Sequence, residues 1–239
     1  MKNKIWNLVM CFIVTIICNA VNSQVIIHSE LNYRGTRQTV SVGEGISLPF
    51  NVRSITIPNG YLVIMANEEG CTGLCQYWRN MDGSRGLLGA RGCTITVKRI
   101  DASDARIQVS VKTGGDDLRS GSYAIFHWRI NGVGIRSKRI VGAGGSLAGN
   151  SKREFSILIP GVRIDQILDM TLAHSGKPAE KGNLFEHYDN WDLAELQVKY
   201  ICNTYPDGMV VYRGSGSPLV RFTGENKRFP ISVLGFACN

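Results

Sequence analysis

The sequence predicts an all-β protein made of two sandwich modules in tandem, and three observations carry that expectation. Short runs alternate apolar and polar residues from Gln24 onward, with little helical periodicity. The first half echoes itself at a spacing of about 40 residues, as a β unit used twice would. Five of the seven cysteines stand beyond an apolar N-terminal leader, a usage that suits stapled β domains in an oxidising compartment.

The leader comes first. Lys2 and Lys4 precede an uncharged apolar run from Trp6 to Cys18, and Val21-Asn22-Ser23 supplies small residues before Gln24. A run of about 13 apolar residues is short of the roughly 20 that a helix needs to cross a bilayer core. Residues 1–23 are therefore expected to be a cleaved signal peptide and the protein to be secreted, with no transmembrane segment after cleavage. The chain of 239 residues carries 27 Lys and Arg against 19 Asp and Glu, a net charge of +8. The positive charges are dispersed, and no run mixes them with stacking aromatics as a nucleic-acid groove would. A basic exterior that adsorbs to anionic surfaces is the simpler reading.

Cys11 and Cys18 leave with the leader, which leaves Cys71, Cys75, Cys93, Cys202 and Cys238. Proximity suggests one bridge from Cys93 to Cys71 or Cys75, and a second from Cys202 to Cys238 that would tie down the tail. One cysteine is then left over. Zinc is a poor match, because C-x3-C with one further Cys lacks a nearby His.

Residues 24–100 read as antiparallel strands at QVIIH, TRQTVSV, RSITI, YLVIM, CQYW and CTITVKR, punctuated by Gly, Pro and Asn. His28-x4-Tyr33-x-Gly35 is followed by Ser54-Ile55-Thr56-Ile57, and the second copy places Gly73 and Thr94 at matching positions. A folded-over hairpin needs the positive φ that glycine takes easily. Tyr33 can cover that turn, and a Ser54 hydroxyl can satisfy a backbone group there. These residues resemble the βγ-crystallin Greek-key motif, and the resemblance implies a double Greek key over 24–100. The second copy departs from the motif, with Met65 and Cys71 in place of its aromatics. Many microbial members bind Ca²⁺ through paired Asn/Asp just before the Ser or Thr. Here only Asn51 remains before Ser54, and Arg91 stands before Thr94.

Residues 101–105 are a short polar linker. Beyond it, strands are expected at ARIQVSVKT, SYAIFHWRI, GIRSKRIV, REFSILIP, ILDMTLAH and LAELQVKYI, with MVVYR and LVRFTG in a β tail over 202–239. Val162–Leu168 has room for one helical turn, and GAGGSLAGN is a loop without the third glycine of a nucleotide fingerprint. Val109–Gly114, Ser120-Gly121-Ser122 with Ala124, and Asp189-Asn190-Trp191 with Leu193 resemble the PLAT/LH2 β-sandwich. That likeness covers 106–201. It implies a non-catalytic module that docks to lipid surfaces or proteins, in some cases with Ca²⁺ at end loops.

Thr113–Ser122, TGGDDLRSGS, places two carboxylates side by side just after a strand. Loops meet at the ends of a sandwich, so Asp116 and Asp117 can converge with Asp189 or Asn190 into a Ca²⁺ cage of carboxylates, carbonyls and water. The preferred alternative is a local ion-pair network, Asp117 or Asp189 with Arg119, beside a Trp191 packed into the sandwich edge. Among the four His no triad, HExxH or nucleophile elbow appears, and His187 with Asp189 is the one pair worth inspecting for hydrolysis. No catalytic residue and no required cofactor is expected. Tyr77 and Trp78 are neighbours on a strand, so alternation turns one outward beside Arg79 as a ligand or docking contact.

The expectation is thus a secreted, non-catalytic binding protein that docks to a cell surface or an extracellular lipid headgroup, glycan or protein, with Ca²⁺ optional. The alternative is a secreted inhibitor or a toxin-like or antimicrobial factor, since small secreted proteins of βγ-crystallin fold include such activities.

Overall fold

The computed structural model describes residues 24–43, 45–66, 75–82, 87–118, 122–141, 146–175, 190–223 and 226–233, with the backbone alone at Ala66, Cys75 and Met81. The leader 1–23, Gly73, Cys71, Arg119, His187, Asp189 and Cys238 lie outside the described residues, as does the side chain of Cys75. The chain divides into two compact units, one running to Arg99 and one beginning at Ile100. Both are built from antiparallel sheets, four in all among the described residues.

The first unit holds β1 (Val25–His28), β2 (Arg37–Val40), β3 (Ile46–Ser47), β4 (Ser54–Thr56), β5 (Tyr61–Ala66), β6 (Cys75–Tyr77), β7 (Met81–Asp82) and β8 (Thr94–Arg99). One sheet runs β2-β1-β4-β7 and the other β3-β8-β5-β6. The third strand of each half therefore crosses over: β3 pairs with β8, and β7 pairs with β4. Alternation sends Val25 and Ile27 from one sheet, and Ile95 and Val97 from the other, into one core with Ile55, Val63 and Tyr77.

The hairpin between β1 and β2 folds over as its residues require. Asn32, Tyr33 and Gly35 take positive φ of 56°, 59° and 76°. A Cβ at Gly35 would stand 2.5 Å from Ser29 Oγ, so that side chain would have to move, and the positive φ itself favours glycine. Ser54, fully buried, accepts from the Tyr33 N–H at 3.0 Å and donates to the Glu30 carbonyl at 2.6 Å. Tyr33 meets the ring of His28 edge-on at 5.9 Å. In the second copy, Thr94 begins β8 and is half-buried.

Burial and, after it, the charge of Arg37 hold the His28 imidazole below its ordinary value. The unfolded chain binds that proton near pH 6.5 and the folded chain only at lower pH. The unfolded state thus holds more protons between the two values, and stability should be lost as pH falls from about 6.5 through the depressed folded value. Urea unfolding followed between neutral and mildly acidic pH should show that decline. His28→Gln should reduce it, and an unchanged slope would refute the assignment.

The second unit holds β9 (Arg106–Thr113), β10 (Ala124–Ile130), β11 (Gly134–Val141), β12 (Lys152–Leu158), a 3-10 turn (Ile164–Gln166), β13 (Ile167–His174), β14 (Trp191–Cys202), β15 (Tyr205–Phe222) and β16 (Arg228–Ile231). The sheets run β12-β9-β14-β15 and β11-β10-β13-β16. The 3-10 turn falls inside Val162–Leu168, where a helical turn was expected. Two expectations need correction. The tail is not an appendage, because β15 pairs with β14 and β16 with β13, so it supplies an edge strand to each sheet. The polar linker is part of the second unit: Gly161 and Ile159 donate to the carbonyls of Ala102 and Ala105, and the Asn203 amide donates to Asp101.

Cys202 corrects a third. It ends β14 as a buried free thiol and not as half of a bridge to Cys238. Burial pushes its thiol up, while the N–H groups of Tyr205 and Thr204, brought round by the tight β14–β15 turn, oppose that. Cys93 is buried beside β8, and the two cysteines expected to pair with it have no described side chains. Among the described residues, no helix is long and apolar enough to cross a membrane.

Candidate functional site

The turn that follows β9 is stitched down on both sides. Gly114 N–H donates to the Asp192 carbonyl at 2.6 Å, and Asp192 N–H returns to the Asp116 carbonyl at 3.2 Å. Asn150 N–H donates to the Gly114 carbonyl at 2.9 Å, and Leu118 and Leu147 exchange a pair of backbone hydrogen bonds. The backbones approach closely: a Cβ at Gly114 would lie 3.0 Å from Asp192 Cβ. Leu118 and Leu147 are buried under this junction.

Asp116 of the turn and Asp192 of β14 meet an arginine. Arg221 of β15 donates through Nη2 to Asp116 at 2.9 Å and through Nη1 to both oxygens of Asp192 at 3.2 Å. Asp192 is 8 % exposed, so this pairing compensates a charge that water reaches poorly. Among the described residues, the acid that meets Asp116 is Asp192 at the start of β14, and the cation between them is a guanidinium. Asp117 is half-buried in the same turn. Among the described residues, no set of three or more His, Cys, Asp or Glu side chains is placed to hold a metal. Trp191 is fully buried in the sandwich, as its edge packing required.

Replacing Arg221 by methionine would leave Asp192 poorly solvated without its cation. Arg221 is half-exposed, which discounts the pair, so the expected loss is about 1–2 kcal/mol. Adding Asp192→Asn should restore part of that loss in a denaturation double-mutant cycle. A cycle with no coupling would remove Arg221 from the network.

Beside this network lies an open cleft of about 550 Å³, lined by Lys112, Gly114, Gly115, Asn150, Asp192, Ala194, Glu195 and Ser215–Pro218. Its far wall is a break in the ladder. Ser215 pairs with Glu195 and Val220 with Leu193, so Gly216–Leu219 stand out of register as a bulge that includes the cis Ser217–Pro218 bond. On the floor, Lys112 Nζ donates to Glu195 Oε1 at 2.7 Å, and that bond holds the Glu195 carboxyl below the usual range. The cleft offers hydroxyl, amide, carboxylate and ammonium groups between small side chains.

The aromatic contact expected at Tyr77-Trp78-Arg79 is corrected. Tyr77 and Trp78 are both buried, at 0 % and 1 % exposure, with Arg79 half-buried. Alternation fails there because β6 stops at Tyr77, so the backbone is free to turn Trp78 inward as well. Tyr77 Oη donates to the Leu88 carbonyl at 2.8 Å within the core.

No protein-family model matches the chain. No curated protein matches it in sequence. Among solved structures, a LOX deletion variant is similar at 15 % identity and a TM-score of 0.36, over 54 % of this chain and 16 % of that one. The Abundant Perithecial Protein of Neurospora crassa is similar at 15 % identity and a TM-score of 0.28, over 81 % of this chain and 76 % of its own. The chain thus spans under a fifth of the LOX chain. The fold stated above is an all-β sandwich in each unit, and neither likeness bears on function.

Proposed function

We propose that this is a secreted, non-catalytic binding protein that docks to an extracellular surface through the loop end of its second sandwich. The observation that carries the reading is the polar cleft at that end, whose walls are fixed by main-chain hydrogen bonds between the β9–β10 turn, Asn150 and β14. A site held on a rigid scaffold at loop ends is the usual arrangement for recognition. The excess of Lys and Arg, which persists without Lys2 and Lys4 of the leader, favours contact with anionic surfaces. For the first unit we propose a βγ-crystallin-like double Greek key, supported by the Ser54-pinned hairpin and the crossing of β3 and β7, with Cys93 bridged to Cys71 or Cys75. For the second we propose a PLAT-like module whose sheets extend to β16.

The test uses the chain from Gln24 onward. Co-sedimentation with anionic vesicles, insoluble polysaccharides and intact cells, with calcium and with chelator, should retain it on at least one surface. Failure on every surface, together with protease inhibition or cell killing, would replace this reading with that of a secreted inhibitor or toxin.

A further inference from the structure

We infer that the rim cleft accepts a neutral polyhydroxylated ligand, a pyranose unit of a glycan; this deepens the binding reading and rests on it. The first reason is charge. Lys112 pairs with Glu195 at 2.7 Å, and Arg221 is shared between Asp192 at 3.2 Å and Asp116 at 2.9 Å, so every charged group at the cleft is already engaged. A bound anion would compete with Glu195 for Lys112, and a bound cation would compete with Lys112 or Arg221 for the acids. A neutral ligand leaves both pairs intact.

The second reason is the hydrogen-bonding capacity that remains. An ammonium has three donors and a carboxylate about four acceptor sites, so the Lys112–Glu195 bond leaves both groups with directions to spare. The Asn150 amide and the hydroxyls of Ser215 and Ser217 add both donors and acceptors. A sugar hydroxyl is itself donor and acceptor, so a row of them matches a wall on which the two alternate. The third reason is shape. Gly115 lines the cleft with open space beside its backbone, letting a ring approach the main chain closely. The cleft volume of about 550 Å³ lies within the range of small-ligand sites.

Gly115 provides the test, because a Cβ built there meets nothing within 4 Å. Gly115→Phe should therefore set a ring at the edge of the cleft with no clash at its Cβ. Isothermal titration of the chain from Gln24 would use maltohexaose, cellohexaose, mannohexaose and chitohexaose, with a heparin hexasaccharide as the anionic comparison. At least one neutral oligosaccharide should bind, and Gly115→Phe should raise its Kd at least about tenfold with Tm unchanged. Lys112→Met/Glu195→Met, which removes an exposed neutral pair, should weaken the same sugar and serves if the first variant is unstable. Binding by no neutral sugar, unchanged binding in both variants, or preference for the heparin fragment or a protein at this cleft would overturn the inference. If Gly115→Phe still sediments with a surface in that event, the binding reading stands and its contact lies elsewhere on the protein.

Discussion

Trp191→Ala is expected to destabilise the second unit by about 3–5 kcal/mol, the range for truncating a buried aromatic. The indole is fully buried, stacks on Phe222 at 5.1 Å and 14°, and lies 6.4 Å from the His174 ring. Trp191 and Phe222 are also register partners across β14 and β15, so the truncation opens a cavity between the strands that frame the cleft. Its neighbour Asp192 holds the β9–β10 turn through both main-chain groups. Loss of packing should therefore loosen the turn as well. Urea unfolding by far-UV circular dichroism would measure the first effect, and hydrogen exchange at Gly114 and Asp192 the second. A loss under about 1 kcal/mol would mean that the strands collapse around the vacancy.

Ser54→Ala should cost the first unit about 1–3 kcal/mol, because it strands two main-chain groups at once. The hydroxyl is the acceptor for Tyr33 N–H and the donor to the Glu30 carbonyl, and no other described group takes its place in that hairpin. The comparison is Ser29→Ala. Ser29 Oγ accepts from Thr36 N–H at 2.9 Å in an exposed setting, where water can replace it. That variant should lose well under about 1 kcal/mol. Equal costs for the two would show that burial at Ser54 contributes nothing special.

The strands that were readable from sequence are those whose partners impose alternation. Ala124–Ile130 has one face in the core and one outside and alternates throughout, and Arg106–Thr113 does so except at the buried Ser110. Ile46–Ser47 and Met81–Asp82 are too short to carry a period, and their pairing with the opposite half leaves no local trace. The tail shows the same limit. Its residues alternate, but only the fold reveals that they close the edges of two different sheets.

The site was half legible. The doublet Asp116-Asp117 stood out because two like charges after a strand need an explanation. The partner described for Asp116, Arg221, lies 105 residues away and looks like any other arginine of a basic chain. Asp192 was hidden by its neighbour Asp189, the more conspicuous acid. The bulged wall has a signal in GSGSP, small and turn-forming residues between two apolar runs, which the strand reading passed over. Tyr77-Trp78 misled because alternation was extended one residue past the end of β6.

The crossing of β3 and β7 sets the smallest assembly that can exist. A peptide with the first four strands alone would hold a short strand whose ladder partner it does not possess, and the last four strands would face the mirror difficulty. Two identical halves in one solution would solve this by trading those strands, as intertwined homodimers do. Joining them head to tail makes the exchange intramolecular, which raises the effective concentration of each donor strand and frees the halves to diverge.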